Sequence, residues 1–253
     1  MRITASLLAV AMLSGAAPAV AAPIPAIANA VAATASRDPD NVKLDESRRP
    51  VELLSFFGLR RGMKVLDMFG LNGYWAEITA PVVGPRGRVT VWQPTQFYTA
   101  KNLEKWSAGP GKLPNVQVIV SPFEAPAWPA AAYDFALINL DYHDVYWQNA
   151  QRGLPRMEPD NFVRRLYAAM KPGGVVGVVD HVAIAGSEPR ESVEKLHRID
   201  PAIVRADFER AGFKLEAESP VLRNPADNHT LLVFDKAIRG QTDRVVLKFR
   251  KVR

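Results

Sequence analysis

The segment from 63 to 84, MKVLDMFGLNGYWAEITAPVVG, constrains the fold more than any other part of the sequence. Val65 and Leu66 form a short apolar run that is closed by Asp67, and a helical pattern of apolar residues starts at Tyr74. The loop between them holds three turn-forming residues, Gly70, Asn72 and Gly73. A strand, a tight loop and a helix in this order form the first unit of a nucleotide-binding α/β sheet.

A loop of this kind directs backbone N–H groups and a helix N-terminus toward a ligand, and an acid at the strand end can bind the ligand's polar groups. Two other interpretations of the same residues stay open. One is a strand-to-helix turn that binds nothing, and the other is a hairpin turn at Asn72-Gly73. The loop therefore predicts a ligand-binding α/β unit but does not identify a ligand.

The rest of the chain alternates between strand and helix patterns. Further strands are predicted at 88–94, 115–121, 134–140, 175–181, 213–219, 230–235 and 244–251. Helices are predicted at 45–57, 98–106, 160–170, 191–197 and 201–211. The near-continuous valines of 175–181 indicate a parallel strand that is covered on both faces. The sequence thus predicts a doubly wound, mostly parallel α/β sheet with one antiparallel strand, 244–251.

The N-terminus has the pattern of a secretory signal peptide over residues 1–21. Arg2 is followed by a short apolar run at 3–13 and by the small residues Ala19-Val20-Ala21, which form a cleavage site. The apolar run is shorter than the about 20 residues that a membrane-spanning helix needs. We expect an exported, periplasmic protein without stable membrane insertion; an uncleaved anchor or a disordered Ala-rich tail are the alternatives. Residues 22–44 are predicted as a linker or weakly packed helix, and 45–253 as one domain.

Charge and cysteine content exclude several functional classes. The formal net charge is +6, but basic and acidic residues are interleaved and no basic run exceeds two residues. The tail, 244–253, alternates basic and apolar residues as a strand with one solvated face does. No nucleic-acid partner is therefore expected. The chain has no cysteine, which excludes disulfides, thiol catalysis and zinc–cysteine sites.

The order of motifs resembles the class I S-adenosylmethionine-dependent methyltransferases. VLDMFGLNGY is similar to their first-strand glycine loop, and YAAMKPGGVVGVVDH to their helix, LKPGG-type turn and fifth strand. More narrowly, FFGLRRGMKVLDM, YHDVYW, DHVA, LHRIDPAIVRADFERAGF, LRNPADN and IRGQTDRVVLKFRK resemble a group of exported bacterial predicted methyltransferases. The resemblance implies a Rossmann-like seven-stranded sheet of order 3-2-1-4-5-7-6 with strand seven antiparallel. It also implies S-adenosylmethionine as methyl donor and, as we expect, a small-molecule acceptor.

The resemblance also implies which residues contact the donor, at the carboxyl ends of strands one, two and four. Those expected at its amino-acid part and ribose are Asp67, Gly70, Asn72, Gly73 and, for the ribose hydroxyls, Gln93. Those expected at the adenine are Phe123 and Glu124. Those expected near the methionine moiety and the acceptor are Asn139 and Asp141.

Three features motivate an alternative function, a non-catalytic exported ligand-binding protein on a degenerate methyltransferase fold. Leu71 and Asn72 interrupt the glycine-dense loop, and Leu tolerates left-handed backbone poorly. Gln93 stands where the family usually has an acid. Export would also separate the protein from a donor that is made in the cytoplasm.

Histidines beside acids supply the candidates for catalysis. His143 follows Asp141, and His181 follows Asp180 at the end of the fifth predicted strand. Since parallel strands open on one edge, both histidines can converge there, oriented by neighbouring acids, Asp144 or Asp180. His143 is our first candidate for a general base and His181 the second, with Asp141 at the reacting centre; satisfied polar residues at strand ends are the alternative.

His197 is interpreted as a structural residue at a helix end. A metal site with three histidine ligands is an alternative interpretation, since imidazole suits zinc, iron or copper. No HxH or HxxxH spacing supports it, so no metal is predicted.

Overall fold

The computed structural model describes residues 22–252 of the chain. The predicted signal peptide, 1–21, lies outside the described residues. Within residues 22–252, every helix is too short or too polar to cross a membrane.

The centre of the fold is one sheet of seven strands. They are β1 Lys64–Met68, β2 Arg88–Pro94, β3 Val116–Ser121, β4 Tyr133–Asn139, β5 Met170–His181, β6 Phe213–Glu218 and β7 Arg244–Lys251. Their order is β3-β2-β1-β4-β5-β7-β6, and β7 is antiparallel to both neighbours. The remaining pairs are parallel. This topology confirms the predicted doubly wound, Rossmann-like sheet.

Helices cover both faces of this sheet. They are α1 Pro25–Ala32, α2 Pro39–Val42, α3 Asp45–Arg48, α4 Pro50–Phe57, α5 Tyr74–Val83, α6 Ala100–Ala108, α7 Pro159–Ala169, α8 Pro189–Leu196 and α9 Pro201–Arg210. Side chains of α1, α4 and α5 pack into the apolar cluster on one face, and those of α7, α8 and α9 into the cluster on the other. Six of these helices have proline in the first turn, where its missing N–H costs no hydrogen bond.

The segment predicted as a linker contains a packed helix. Ile27 of α1 is fully buried in the same apolar cluster as α4 and α5. The single helix predicted at 45–57 is instead two helices, because Arg49 adopts a left-handed conformation (φ 48°) just before Pro50. Proline disfavours helical backbone at the preceding residue, which explains the break. This break directs the end of α3 toward the carboxyl edge of the sheet.

Two strand predictions need correction. The segment 230–235, all of which the structure describes, is irregular rather than a strand. Its polar backbone groups are bound elsewhere: Arg198 Nε donates to the Leu231 carbonyl at 2.9 Å, and Val233 N–H donates to the Leu196 carbonyl at 3.2 Å. Strand β5 begins at Met170 rather than at 175, because Met170 pairs with Tyr133 across an irregularity in the β4–β5 register.

Candidate ligand site at the carboxyl ends of the strands

The loop between β1 and α5 is a short 3-10 turn, Gly70–Asn72, with a left-handed residue on each side. Phe69 (φ 59°) precedes the turn, and Gly73 (φ 83°) follows it and begins α5. The expected strain at Leu71 was therefore wrong, since the left-handed positions fall on its neighbours. Phe69 is fixed there by its N–H, which donates to the Trp92 carbonyl at 2.8 Å.

A buried carboxylate lies directly beneath this turn. Asp67 is 1% exposed, and neither carboxylate oxygen has a hydrogen-bond partner among the described residues. Burial raises the pKa of Asp67 to about 7, although the charge of Arg48 acts in the opposite direction. A Cβ atom on Gly70 would lie 2.2 Å from Asp67 Oδ2, so only glycine fits at this place. The turn therefore packs directly on a buried carboxyl group, and that group has no hydrogen-bond donor among the described residues.

A cavity of about 410 Å³, counted with the solvent space at its mouth, opens beside this turn at the ends of β1 and β4. Its lining includes Arg48, Phe69, Gly70, Asn72, Asn139 and Asp141. Burial raises the pKa of Asp141 well above its ordinary value. The cavity thus has a guanidinium group from α3 on one side and a carboxyl group and two amides from the ends of the strands on the other. This arrangement suits a ligand that carries one negative and one positive charge.

Arg48 is the residue of this cavity that sequence reasoning missed. Its guanidinium lies 4.3 Å from the ring centroid of Tyr74, and burial lowers its pKa. The hydroxyl of Tyr74 donates to Asp45, which also binds Arg37 at 2.7 Å. These contacts hold α3 against α5. The position of Arg48 depends on that tertiary packing, and no motif in the sequence indicated it.

Three residues predicted to contact the donor contact other protein groups in this structure. Gln93 is 3% exposed; its side chain accepts from Leu71 N–H at 3.3 Å and donates to the Phe97 carbonyl at 3.1 Å. Phe123 is fully buried, with its ring centroid 5.4 Å from that of Phe69. Glu124 is exposed and accepts a hydrogen bond from the Gln96 side chain at 2.9 Å. These three do not belong to the described lining of the cavity, and neither do Asp67 and Gly73, whereas Gly70, Asn72 and Asn139 do.

A larger space lies away from the strand ends. It is a groove of about 1860 Å³, counted with its open solvent, between α5, the segment around Arg37 and the turn at Pro110. It shares only Asn72 with the smaller cavity. Ligands of open α/β sheets bind at the carboxyl ends of the strands, so we assign the site to the smaller cavity despite its size.

His143 lies next to this cavity, in the 3-10 turn His143–Tyr146 that follows β4. Its Nδ1–H donates to Asp180 Oδ1 at 2.8 Å, and its backbone N–H donates to Asp180 Oδ2 at 2.8 Å. Burial disfavours the charged ring, but the carboxylates of Asp180 and Asp144 outweigh it and raise the pKa of His143 to about 9. Asp180 at the end of β5 therefore orients a histidine from the end of β4, across the edge of the sheet.

The structure brings two further histidines to this edge, His181, which was predicted there, and His197. His181 Nδ1 lies 2.7 Å from Thr242 Oγ1, and burial lowers the pKa of His181 to about 3. The ring centroids of His181 and His143 are 6.1 Å apart. His197, which was expected to be structural, has Nδ1 only 3.3 Å from His143 Nε2.

The position of His197 follows from a bridge beside β5. Val182 pairs in parallel with Ile199, which brings the left-handed end of α8 (His197, φ 51°) to the strand end. The described lining of the cavity includes Asp141 but none of the histidines. The catalytic roles of His143, His181 and Asp141 stay predictions.

Comparison with protein-family models and with curated protein sequences gives no match. Solved structures are similar in fold. An S-adenosylmethionine-dependent methyltransferase from Aquifex aeolicus has a TM-score of 0.58 at 19% identity, covering 89% of this chain and 98% of its own. The arsenic(III) S-adenosylmethionine methyltransferase of Chlamydomonas reinhardtii has a TM-score of 0.54 at 15% identity, covering 92% and 75%.

The [4+2]-cyclase SpnF is equally similar in fold, with a TM-score of 0.58 at 16% identity over 81% of this chain and 80% of its own. At these identities the likeness concerns architecture, and one architecture can host several activities. This chain therefore has the fold of the class I methyltransferases.

Proposed function

We propose that the protein binds S-adenosylmethionine at the carboxyl ends of β1 and β4 and transfers its methyl group to a small-molecule acceptor. The observation that carries this proposal is Asp67, a fully buried carboxylate beneath the β1–α5 turn without a partner in the described chain. A buried charge of this kind is stable only when a ligand or a protein group compensates it. The donor carries an ammonium group and a sulfonium, either of which supplies that charge.

The polar groups around the cavity match the amino-acid end of the donor. Arg48 can bind its carboxylate, and Asp141 in the same lining can bind its ammonium group, while Asp67 lies buried behind Gly70 of the lining. The amides of Asn72 and Asn139 lie in the same lining and can hydrogen-bond to either group. An α-amino acid with both charges therefore fits this arrangement better than an anion or a cation alone.

The size of the cavity sets a requirement for binding. Without the open solvent at its mouth the cavity holds about 120 Å³, which is below the about 300–1,000 Å³ of small-molecule sites. The adenosine part needs further space beside Phe69, whose ring contacts those of Phe97 and Phe123. Binding of the complete donor thus requires these aromatic rings to rearrange.

Methyl transfer is an in-line displacement in which the acceptor atom forms a bond to the methyl carbon while the carbon–sulfur bond breaks. The electron pair of that bond goes to sulfur, and the donor leaves as a neutral thioether. Alignment of acceptor and methyl group supplies most of the catalysis. In this proposal Asp141, which lines the cavity together with Asn139, also positions the acceptor by hydrogen bonding.

A second candidate function is the binding of a compact amino-acid-like ligand without methyl transfer. It is favoured by Gln93 and Phe123, since both are engaged inside the protein where ribose and adenine contacts were expected. Such a protein would bind the amino-acid end and would not discriminate between adenosylated and simple amino acids.

Calorimetric titration of the purified full chain with S-adenosylmethionine, S-adenosylhomocysteine and free methionine separates the two candidates. Methyl-donor chemistry requires the two adenosyl compounds to bind more tightly than methionine. Arg48→Gln should weaken their binding about 10–100-fold, as expected for loss of a charge-assisted hydrogen bond of about 1.5–3 kcal/mol. Arg49→Gln is the matched control, because Arg49 is exposed and pairs with Glu52.

Absence of binding by either adenosyl compound at millimolar concentration would refute the proposal. Equal binding of methionine and S-adenosylmethionine would favour the second candidate. If the adenosyl compounds bind, the enzymatic step can be tested with S-adenosylmethionine that carries a labelled methyl group. The protein is incubated with mixtures of small molecules, and transfer of the label to any of them is measured.

A further inference from the structure

We propose that His143, Asp144 and His197 bind a divalent first-row transition-metal ion. The three candidate ligand atoms are His143 Nε2, Asp144 Oδ1 and His197 Nδ1, and they lie within 4.8 Å of one another. This site goes beyond the proposed methyl transfer, since it uses none of the residues that line the donor cavity. It adjoins the cavity through the turn in which the Asp144 N–H donates to the Asp141 carbonyl at 3.3 Å.

The spacing of the three atoms fits metal coordination. His143 Nε2 is 3.3 Å from His197 Nδ1 and 3.5 Å from Asp144 Oδ1, and His197 Nδ1 is 3.8 Å from Asp144 Oδ1. The centre of a triangle with these sides lies about 2.1 Å from each corner, within the about 2.0–2.2 Å of Zn–N and Zn–O bonds. An ion at this centre needs little movement of the ligands.

Asp180 fixes the orientation of the His143 ring for metal binding. Its Oδ1 accepts from Nδ1–H of His143 at 2.8 Å, while its Oδ2 accepts from the His143 backbone N–H. Metal-binding histidines usually donate their second ring N–H to a carboxylate, which fixes the tautomer and the ring orientation. When the proton on Nε2 leaves, the lone pair of this nitrogen is directed at His197 and Asp144.

Asp144 provides an independent indication of a missing partner. The residue is 7% exposed, and its Oδ1 has no hydrogen-bond partner in the part of the chain that the structure describes. The same oxygen faces both histidine nitrogens. A buried acceptor without a donor is costly, and a cation between the three atoms would satisfy it.

The surrounding charges favour a cation. Carboxylates of Asp141, Asp144 and Asp180 all act on His143, and two cations act on both Asp144 and His197, the charged ring of His143 and Arg152. The guanidinium carbon of Arg152 lies 5.5 Å from the centre of the Trp147 ring. A divalent ion between the three ligand atoms would take the place of the proton on Nε2 of His143 and keep a positive charge beside these carboxylates.

Two imidazoles and one carboxylate suit zinc or iron, whereas Mg²⁺ prefers oxygen ligands only. The side chains of His197 and Asp144 are 16% and 10% exposed, so solvent reaches the outer side of the site. Three protein ligands leave coordination positions for water or for an acceptor atom. Metal binding also excludes the predicted role of His143 as a base, because Nε2 would then be a ligand.

The test is calorimetric titration of the chelator-treated full chain with Zn²⁺, repeated with Co²⁺ while visible absorption reports on nitrogen coordination. We expect one ion per chain and no competition from Mg²⁺. His197→Asn should weaken Zn²⁺ binding by more than the about 10–100-fold that loss of a second-shell partner costs. Asn tolerates the left-handed backbone of residue 197, so the fold should persist.

His229→Asn is the matched control, because His229 is also left-handed (φ 64°) but binds Asp243 away from the cluster. It should bind Zn²⁺ as the unaltered chain does. Asp144→Asn gives a second loss-of-binding variant in case residue 197 affects folding.

Failure of the unaltered chain to bind Zn²⁺ or Co²⁺ would overturn the proposal, and the three atoms would then share a proton of His143. Equal Zn²⁺ affinity in both cluster variants would overturn it as well. The titration with S-adenosylhomocysteine is independent of this result, so failure of the metal site and failure of the donor site can be told apart.

Discussion

Replacement of Asp67 by Asn should stabilise the free protein, and the gain should depend on pH. Asp67 is 1% exposed, and burial raises its pKa from the ordinary 3.8 to about 7. At about 1.36 kcal/mol per pKa unit, this difference corresponds to about 4 kcal/mol that the ionised carboxylate costs the folded state. Asn has nearly the same shape and carries no charge, so it removes this cost.

The sign of the pH dependence follows from the two pKa values. Below pH 3.8 the carboxyl group is protonated in both the folded and the unfolded chain, and ionisation costs nothing. As the pH rises from 3.8 to about 7, only the unfolded chain ionises, and the folded state loses stability. The stability difference between Asp67→Asn and the unaltered chain should therefore grow over this interval and stay constant above it.

Urea unfolding of both proteins at several pH values measures this difference, since other titrating groups contribute equally to the two chains. Asp227→Asn is the contrasting control: burial acts to raise the pKa of Asp227, but hydrogen bonds from Arg198 and two backbone N–H groups outweigh it and lower the pKa below its ordinary value. Replacement of Asp227 should destabilise the protein. The reasoning would be refuted by an Asp67→Asn variant that is less stable at high pH, or by a difference that does not change with pH.

Binding of the proposed ligand should offset the stability that Asp67→Asn gains over the unaltered chain. At about 100 times its Kd, S-adenosylhomocysteine should add about 2.7 kcal/mol to the unaltered chain and much less to Asp67→Asn. A ligand that stabilises both proteins equally would show that Asp67 does not contact it.

Two further predictions concern other parts of the structure. Gly70→Ala places a Cβ 2.2 Å from Asp67 Oδ2 and should weaken S-adenosylhomocysteine binding at least about tenfold, since the turn or the acid must move. Gly153→Ala lies at a left-handed position (φ 66°) with open space around the added atom, so it costs backbone strain but should leave that calorimetric affinity unchanged. Arg198→Met leaves Asp227 buried without its 2.8 Å partner and should cost about 3–5 kcal/mol in urea unfolding. The double variant with Asp227→Asn should be more stable than Arg198→Met alone, and a lower stability would contradict the assigned pairing.

The sheet could be predicted because its strands carry their signal locally. The valines of 175–181 and the alternation of 115–121 each indicate a strand without reference to the rest of the chain. The segment 230–235 has equally strand-like residues, yet Leu231, Leu232 and Phe234 remain exposed. Its backbone groups bind Arg198 and the end of α8 instead, a competition that no local pattern reveals.

The site was predictable only in part, for the same reason. Gly70, Asn72 and Asn139 line the cavity because strand ends and their loops always lie at this edge. Arg48 reaches it only because Pro50 breaks the predicted helix and redirects α3. His197 joins His143 because of the Val182–Ile199 bridge. Both depend on packing between distant segments, and sequence spacing does not encode it.

Two carboxylates along one edge of the sheet, Asp67 and Asp144, have oxygens without a hydrogen-bond partner among the described residues, and each can accept a positively charged ligand. Asp67 lies under the β1–α5 turn, and Asp144 faces His143 and His197, with Asp141 in the segment between the two sites. An ammonium group suits the first because its surroundings supply no nitrogen ligand, whereas the two imidazoles of the second favour a metal. A chelator should therefore leave S-adenosylhomocysteine binding intact. If it also abolishes methyl transfer, the metal acts on the acceptor rather than on the donor.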